Sequence, residues 1–331
     1  MQSTYNANTD TYYGNPASSE LAAQTNASMQ SVISAGHLDI AWFDDTMMLE
    51  DEYANQWNCS AAQTVGYSPQ SYRSTMQSFQ DAMARPVLME GVCNGDGSTS
   101  SLGSGNASDP AAITTIAQSS NTIGAMCESF AEGWQSTTGG KAIPPGWQSR
   151  ENTALQVQSY GKTFVAWPYY GEFPGDAIDQ RGFYYASFML IYDPKLSMMK
   201  FNGWGVGPQS GVDVEPEGLI VPLDPIKSAT FGAGNIDALK VGGVYVREFK
   251  SCFVAGSLVG PCATVVNPDP SAAYPLPTLS QTYKHALTLS GYGSFSGAFG
   301  TPNLGDNGQM AWTAAVPTQL APQGWTILFG V

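Results

Sequence analysis

The sequence is poor in charged side chains, and most of those it has are acidic. Charged residues make up 12% of the 331 residues, with 27 Asp and Glu against 13 Lys and Arg. Soluble domains average about 25%. Eight acidic residues and no Lys or Arg precede Arg73. Because binding to a phosphate backbone or an anionic membrane surface requires a basic patch, the composition argues against nucleic acid and anionic lipid as partners.

Long apolar runs are missing as well. No stretch reaches the roughly 18 consecutive apolar residues that a transmembrane helix needs, so we expect no membrane insertion. The N-terminal segment has neither the basic region nor the apolar region of a signal peptide. We therefore expect a chain whose leader has been removed, or one that leaves the cell by another route such as lysis.

The sequence also lacks motifs for cofactor and nucleophile chemistry. Its only histidines are His37 and His285, and neither lies near a nucleophile-elbow pattern. No glycine-rich phosphate-binding loop follows a strand and opens a helix. We therefore predict no cofactor other than a calcium ion considered below. The sequence favours a non-enzymatic role without excluding an enzyme.

What the chain has instead is a neutral polar composition with many aromatic residues, including 16 Tyr and 8 Trp. Disordered chains combine high charge with few aromatic residues, so this balance indicates an ordered protein. Polar, weakly charged surfaces are typical of secreted β proteins and virion shells. We therefore expect an extracellular, cell-surface or virion location. Few ionisable groups also predict few pH-linked losses of stability, and hence tolerance of low pH.

The five cysteines favour an oxidising compartment, because no Cys-x-x-Cys pair is present to suggest a metal site. In the segment CFVAGSLVGPC, two short apolar runs flank Gly256 and Ser257. A hairpin at this point would place Cys252 opposite Cys262, so we predict a disulfide between them. The other three cysteines, which allow one further internal bridge at most, are Cys59, Cys93 and Cys127.

Two patterns divide the chain near residue 150. In residues 1–150, apolar residues recur at helical spacing between Ser-rich and Gly-rich connections, which predicts about three helices and long loops. We interpret this region as a candidate assembly arm. In residues 151–331, β-branched and aromatic runs alternate with Gly and Pro turns. The predicted fold is mainly β, with an antiparallel β-sandwich or barrel-like C-terminal domain.

The individual elements follow from local signals. Helices are predicted over 17–34, from Pro69 after the N-cap Ser68 to Ala84, and from Pro110 along an apolar stripe that runs from Ile113 to Phe130. Nine strands are predicted, at 162–168, 182–192, 198–204, 218–223, 227–232, 240–249, 251–266, 283–299 and 324–330.

The densest group of carboxylates lies in the segment HLDIAWFDDTMMLEDEY. Three interpretations stay open for it. It is a solvated acidic loop, or a Ca²⁺ site, since hard cations take carboxylate oxygens, or a catalytic acid and base acting on a sugar. The calcium interpretation uses Asp39, Asp44, Asp45 and Glu50. The catalytic interpretation uses any two carboxylates from the group formed by these four residues and Glu52.

Asp213 and Glu215 form a second candidate pair. Residues two apart in a strand point to the same face, so the segment GVDVEPEG would place both carboxylates together, as glycosidases require. The simpler interpretation is an exposed strand face.

Aromatic residues are the other candidate binding feature. They cluster in two groups and are interpreted as core packing, subunit contact or a sugar platform: Trp167, Tyr169, Tyr170 and Phe173, then Phe183, Tyr184 and Tyr185.

Glycosylation is a further open question. Asn26, Asn58 and Asn106 each begin an Asn-x-Ser triplet, which a glycosylating compartment could use.

Two functional hypotheses follow. The first is a non-enzymatic structural subunit of an extracellular or virion assembly, such as a filament, sheath, surface layer or capsid. Its partners would be copies of itself or neighbouring surface proteins. The alternative is a secreted carbohydrate-active enzyme or glycan-binding protein, with Asp213 and Glu215 or the acidic segment as its carboxylate pair.

Overall fold

The structure is a computed structural model of the chain. It describes residues 4–6, 11–13, 17–34, 40–43, 69–90, 110–128, 130–132, 140–170, 177–200, 202–203, 220–227, 235–254, 257–291 and 308–330. At the N-terminus, β1 (Thr4–Asn6) and β2 (Thr11–Tyr13) form an antiparallel pair, and helix α1 (Ser19–Ser34) follows. Among the described residues, no helix has the length and hydropathy that a bilayer crossing requires.

The first of two larger units is a parallel β/α unit in which strands and helices alternate. Its elements are β3 (Ala41–Phe43), α2 (Pro69–Asp81), β4 (Val87–Glu90), α3 (Pro110–Gln118), β5 (Thr122–Glu128), α4 (Gly146–Ser159), β6 (Thr163–Trp167), β7 (Tyr169–Tyr170), α5 (Ala177–Ile191), β8 (Ser197–Met199) and β9 (Asn202–Gly203). Five parallel strands lie in the order β3-β4-β5-β6-β8, and β7 and β9 pair in parallel beyond β6 and β8. The carboxyl ends of all five strands therefore share one edge.

Two side chains fasten the connections of this unit. The Asn121 amide donates to the carbonyl oxygens of Gln80, Met83 and Arg85 at the end of α2. Asp81 accepts hydrogen bonds from the backbone and side chains of residues 119–121. The end of α2 is thus tied to the turn that precedes β5, so carbonyl groups that a helix end leaves unpaired are satisfied.

The second unit is an antiparallel sheet. Its elements are β10 (Ile220–Pro225), a 3₁₀ helix (Asn235–Leu239), β11 (Lys240–Val241), β12 (Val244–Val254), β13 (Ser257–Val259), β14 (Cys262–Val266), β15 (Tyr274–Pro275), β16 (His285–Gly291), β17 (Gly308–Ala314), β18 (Gln319–Leu320) and β19 (Trp325–Phe329). The strand order is β10-β12-β14-β19-β16-β17, with β11 and β13 also paired to β12. Strands β15 and β18 form a separate pair, next to a small apolar cluster built on the other face of the large sheet.

Helix α5 joins the two units. Every residue from Gln180 to Ile191 is buried, because the helix packs against α4 and β7 of the first unit and against the antiparallel sheet of the second. Helix α5 and strand β19 approach each other closely at Gly182. A Cβ atom on Gly182 would lie 1.9 Å from the Trp325 ring, so only glycine fits there. The two units share one continuous apolar core.

The expectation of a mainly β fold is only partly met, because the chain is mixed α/β with a parallel sheet in its N-terminal half. The largest error concerns residues 182–192, which were predicted as a strand and belong to α5. Full burial removes the amphipathic period that identifies a helix, and the many aromatic residues then resemble a strand. The predicted helix from Pro110 toward Phe130 is also wrong beyond Gln118, because 122–128 is strand β5.

Other predictions agree with the structure. Helices α1 and α2 lie where the sequence places them, and strands occupy most of 162–168, 218–223, 240–249, 251–266 and 324–330. Residue 150, where the sequence changes pattern, lies within α4.

Candidate functional site

The carboxyl edge of the parallel sheet carries the chemically distinctive side chains of this unit. Strand β5 ends at Glu128, β6 ends at Trp167 with Tyr169 just beyond, and Lys200 directly follows β8. Trp167 and Tyr169 belong to a small apolar cluster with Met126 and Val165 that is separate from the main core. Neighbouring strands therefore bring an acid, two aromatic rings and a cation to one edge.

A hydrogen bond joins the acid to the aromatic pair. The Tyr169 hydroxyl group donates to Glu128 Oε1, and the rings of Tyr169 and Trp167 are stacked with centroids 5.9 Å apart and planes 24° apart. Glu128 and Tyr169 are both half-buried. Because a hydrogen bond to a carboxylate fixes its direction and stabilises its negative charge, Tyr169 orients Glu128.

Glu132 holds Tyr169 in place from below the surface. Its side chain is 0% exposed, and Glu132 Oε2 accepts a hydrogen bond of 3.2 Å from the Tyr169 backbone N–H. An antiparallel bridge pairs Glu132 with Lys141, and the Arg150 guanidinium on α4 donates to the Glu132 carbonyl oxygen. Glu132 is therefore a positioning residue, since it is buried and its carboxylate binds the protein backbone.

Lys200 adds a positive charge on the far side of Trp167. Its Nζ lies 3.9 Å from the centroid of the Trp167 ring, within the range of a cation–π interaction. Its backbone N–H donates to the Ala166 carbonyl oxygen at 2.9 Å, which continues the pairing of β8 with β6. Among the described residues, the Lys200 ammonium group forms no hydrogen bond or ion pair. It is exposed and can contact a ligand.

This arrangement suits a ligand with hydroxyl groups. An oriented carboxylate accepts hydrogen bonds from hydroxyl groups and can exchange a proton with them. An aromatic ring beside it offers apolar area to the face of a sugar ring, and a tyrosine hydroxyl group both donates and accepts. The edge can therefore bind a polar, uncharged ligand.

The carboxylates predicted from the sequence lie outside the described residues. This holds for Asp39, Asp44, Asp45 and Glu50 of the calcium prediction and for the pair Asp213 and Glu215. Within the described ranges, no group of three or more His, Cys, Asp or Glu side chains could hold a metal ion. Calcium binding at the acidic segment and catalysis by the pair remain predictions.

The aromatic prediction divides between site and core. Trp167 and Tyr169 lie at the carboxyl edge, where Trp167 is buried at 9% exposure and Tyr169 is half-buried, and Phe183, Tyr184 and Tyr185 are buried on α5 in the main core. Phe173 and the side chain of Tyr170 lie outside the described part of the chain.

Sequence reasoning missed Glu128 and Glu132. The signal was the segment TIGAMCE, an apolar run that ends in an acid and follows a helix. In a β/α unit, an acidic residue at the end of an apolar strand lies at the carboxyl edge of the sheet. The helix predicted from Pro110 toward Phe130 includes this run, so the sequence does not predict Glu128 as the end of a strand.

The predicted disulfide is confirmed: Cys252 in β12 is bonded to Cys262 in β14, with Cα atoms 6.0 Å apart. Cys127 is also disulfide-bonded, and its partner lies outside the described residues.

Of the three Asn-x-Ser triplets, only Asn26 is described. It lies in α1, where its amide donates to the Ala82 carbonyl oxygen and accepts from the Ala84 N–H. A glycan on this nitrogen would disrupt the contact between α1 and the end of α2.

Comparisons with known proteins give weak similarity. No family model and no curated protein matches the chain. Among solved structures, the chain is similar to Eubacterium rectale Amy13B (TM-score 0.37, 10% identity, 98% of this chain covered) and to an alpha-L-arabinofuranosidase from Thermotoga maritima (0.32, 8%, 87%). A third structure, titled as an arabinofuranosidase, has a TM-score of 0.28 at 8% identity over 81% of this chain. The matches cover 62–65% of those chains, less than two thirds of their length. TM-scores this low do not establish a shared fold.

Proposed function

We propose that this protein binds a carbohydrate at the carboxyl edge of its parallel sheet, and that Glu128 contacts the sugar. One observation carries the proposal. The last residue of the central strand β5 is a half-buried carboxylate that the Tyr169 hydroxyl group orients, next to the stacked rings of Tyr169 and Trp167. Binding sites in parallel β/α units lie at this edge, since the loops that follow the strands surround it.

The charge of the chain favours a neutral ligand over an anionic one. The formal net charge is −14, which repels polyanions and leaves few cations to bind phosphate. A glycan offers many hydroxyl donors and the apolar face of a pyranose or furanose ring. Both features match a carboxylate beside an aromatic pair.

A hydrolytic form of this function needs a second carboxyl group about 5–9.5 Å from the first. Glu132 does not supply it, since it is buried and holds the Tyr169 backbone. Asp44 and Asp45 follow the last residue of β3 in the chain, so we propose one of them as the partner of Glu128. Asp213 and Glu215 are the alternative partners that we predicted from the sequence.

The test is a panel of neutral oligosaccharides and polysaccharides, with binding followed by affinity electrophoresis and calorimetry and cleavage followed by released reducing ends. Glu128→Gln keeps the shape of the side chain and removes its charge. We expect it to weaken binding at least about tenfold and to reduce any cleavage about 10²–10⁴-fold. Glu20→Gln, an exposed position on α1, is the matched control. A Glu128→Gln protein that binds and cleaves as the wild type does would contradict the proposal, as would a wild-type protein that binds no glycan.

A structural subunit is the second proposed function, supported by an exposed apolar pair. Phe253 in β12 and Leu258 in β13 are register partners and are 40% and 63% exposed. Large apolar side chains that are exposed side by side suit a subunit contact. Sedimentation velocity tests this: assembly at high concentration that Leu258→Ser reduces would support it, and a monomer at every concentration would contradict it.

Secretion, or a place at a cell surface or in a virion, remains a proposal that the Cys252–Cys262 disulfide supports, since structural disulfides persist in oxidising compartments.

Calcium binding by the acidic segment that contains Asp39, Asp44, Asp45 and Glu50 is likewise proposed. A melting temperature that rises with CaCl₂ and falls with a chelator would support it, and an unchanged value would contradict it. For the C-terminal half we propose the antiparallel β-sandwich or barrel-like fold that the sequence predicts, with the β15–β18 pair beside one face of the large sheet.

A further inference from the structure

Glu151 on α4 is a buried acid that has no partner within the described part of the chain. Its side chain is 0% exposed, and neither carboxyl oxygen has a hydrogen-bond partner among the described residues. It also forms no ion pair there. Other buried charged groups are bonded, as in the case of Arg247, which donates to the carbonyl oxygens of Leu190 and Tyr192 at the end of α5.

Glu151 lies where the two units pack together. One helical turn earlier, Trp147 contacts the Tyr245 ring of β12 with centroids 4.7 Å apart and donates to Ser187 on α5. Gln148, on the same side of α4, donates to the Tyr245 hydroxyl group and to Asp237 of the 3₁₀ helix. Residues one turn apart share a helix face, so Glu151 faces the same interface.

The charges around this position do not neutralise a Glu151 carboxylate. From the second unit, the facing groups are Tyr245, Asp237, which accepts the Tyr245 hydroxyl at 2.8 Å, and Lys240, whose Nζ is 5.6 Å from the Tyr245 ring. Burial and the hydrogen bond to Asp237 raise the pKa of Tyr245, and a charge on the nearby Glu151 would raise it further.

The elements of the first unit that pack on α4 contribute little. Helix α5 carries Asp179, Arg181, Tyr184 and Tyr185, β5 carries Glu128, and α3 and β6 have no ionisable residue. None of these groups forms a hydrogen bond or an ion pair with Glu151. On α4 itself, Arg150 is directed to the Glu132 carbonyl oxygen.

A carboxylate in such a place is costly, because burial removes its hydration and no described residue supplies a cation or donor to replace the lost water. Burial therefore raises the pKa of Glu151 well above its ordinary value. In the folded chain, burial favours the protonated form of this carboxyl group over the ionised form, which an opening that admits water would stabilise.

We propose that Glu151 is a pH-sensitive latch between the parallel β/α unit and the C-terminal sheet, closed when its carboxyl group is protonated and loosened when it ionises. The folded state binds this proton more tightly than the unfolded chain does. The stabilising effect is therefore complete at acidic pH and is lost as the pH rises above the ordinary range of glutamate. The latch adds to the low-pH tolerance that the composition predicts.

Opening of the interface at Glu151 would also affect the carboxyl edge of the parallel sheet. Arg150 is adjacent to Glu151 in α4 and binds the loop residue Glu132, whose carboxylate holds the Tyr169 backbone. Movement of α4 would therefore release the residue that orients Glu128. This step concerns the geometry of the edge and holds whether or not a glycan is its ligand.

The test compares melting temperatures of the wild-type chain, Glu151→Gln and Glu151→Leu from pH 4 to pH 9, with Glu20→Gln as the exposed control. Both Glu151 variants remove the ionisation. We expect their melting temperatures to match the wild type near pH 4 and to exceed it by at least about 2–4 °C at pH 8. Parallel profiles for the wild type and Glu151→Gln would overturn the proposal. Failure of both variants to fold would also overturn it, because it would show that the carboxylate is required.

Hydrogen exchange locates the effect. At pH 8, backbone amides of α4, the 3₁₀ helix and β12 should exchange several-fold faster in the wild type than in Glu151→Gln, with no difference in β16 or β17. A difference spread evenly over the chain would show a general change in stability and would contradict a latch at this interface.

Discussion

The C-terminal sheet and the carboxyl edge of the parallel sheet use their charged side chains in different ways. In the C-terminal sheet, charged groups bind the backbone: Arg247 caps the end of α5, Glu248 accepts N–H groups of residues 280 and 281, and Asp269 accepts those of residues 271 and 272. At the carboxyl edge of the parallel sheet, Glu128 binds a tyrosine hydroxyl group and Lys200 lies over a ring. Charge in the second unit maintains the fold, whereas we propose that Glu128 and Lys200 at the edge contact a ligand.

Removal of the Arg247 guanidinium is the largest expected perturbation of the C-terminal unit. The side chain is 4% exposed, and burial lowers its pKa to about 10, so it is charged at neutral pH. Arg247→Leu keeps apolar bulk but leaves carbonyl oxygens at the end of α5 without donors. We expect a loss of about 2–4 kcal/mol in the free energy of unfolding. Urea denaturation measures it, with the exposed Lys250→Ala as the control that should not change, and equal stability of the two variants would contradict the assigned role.

The disulfide gives the next largest effect in the same unit. Cys252 and Cys262 are separated by 10 residues, and cross-links that close loops of this size stabilise folded proteins by about 2–3 kcal/mol. The double change Cys252→Ser and Cys262→Ser should lower the free energy of unfolding by that amount, and a reductant should then have less effect than on the wild type. Glycan binding at the carboxyl edge should be retained in the variant, and its loss would show that the two units are not separable in function.

Local signals predicted the elements that have clear ends. Pro69 marks the start of α2, and Gly256 with Ser257 marks the hairpin that places Cys252 near Cys262. Local sequence signals did not predict helix α5, because a helix buried on both sides loses the alternation of polar and apolar residues. The parallel sheet could not be predicted for a related reason: β3, β4 and β8 are only three or four residues long, and their pairing depends on neighbours distant in the chain.

The candidate site was predicted only in its aromatic part. Trp167 and Tyr169 stand out by residue type, so they were named from the sequence. Glu128 is one of 27 acidic residues, and what distinguishes it is its place at the end of β5 and the hydroxyl group of Tyr169, 41 residues further along the chain. That relation exists only once the sheet has formed.

Asp269 provides the smallest effect and a pH-dependent one. Backbone and side-chain hydrogen bonds from Ser271, a backbone bond from Ala272 and the Tyr274 hydroxyl lower the pKa of Asp269 to about 2. A lowered pKa means that the folded state favours the carboxylate. Its stabilising contribution is therefore present above the ordinary pKa of aspartate and is lost as the pH falls toward 2. Asp269→Asn should have a slightly lower urea midpoint than the wild type at pH 6 and a much smaller difference at pH 2, where the carboxyl group is about half protonated in the folded state. A gap as large at pH 2 as at pH 6 would contradict this.

The comparison of the two units is tested most directly by removing the charge of one glutamate in each unit. The free energy of unfolding and the glycan affinity are then measured for both variants. Glu248 accepts hydrogen bonds from Ser280, Gln281 and Tyr283 at 2.9–3.1 Å, and Glu128 accepts one from Tyr169. Glu248→Gln should lower the free energy of unfolding by about 1–3 kcal/mol and leave glycan affinity unchanged. Glu128→Gln should leave the free energy of unfolding nearly unchanged and weaken glycan binding at least about tenfold. A Glu128→Gln protein that loses stability but binds glycan as the wild type does would show that this carboxylate maintains the fold and that the binding site lies elsewhere.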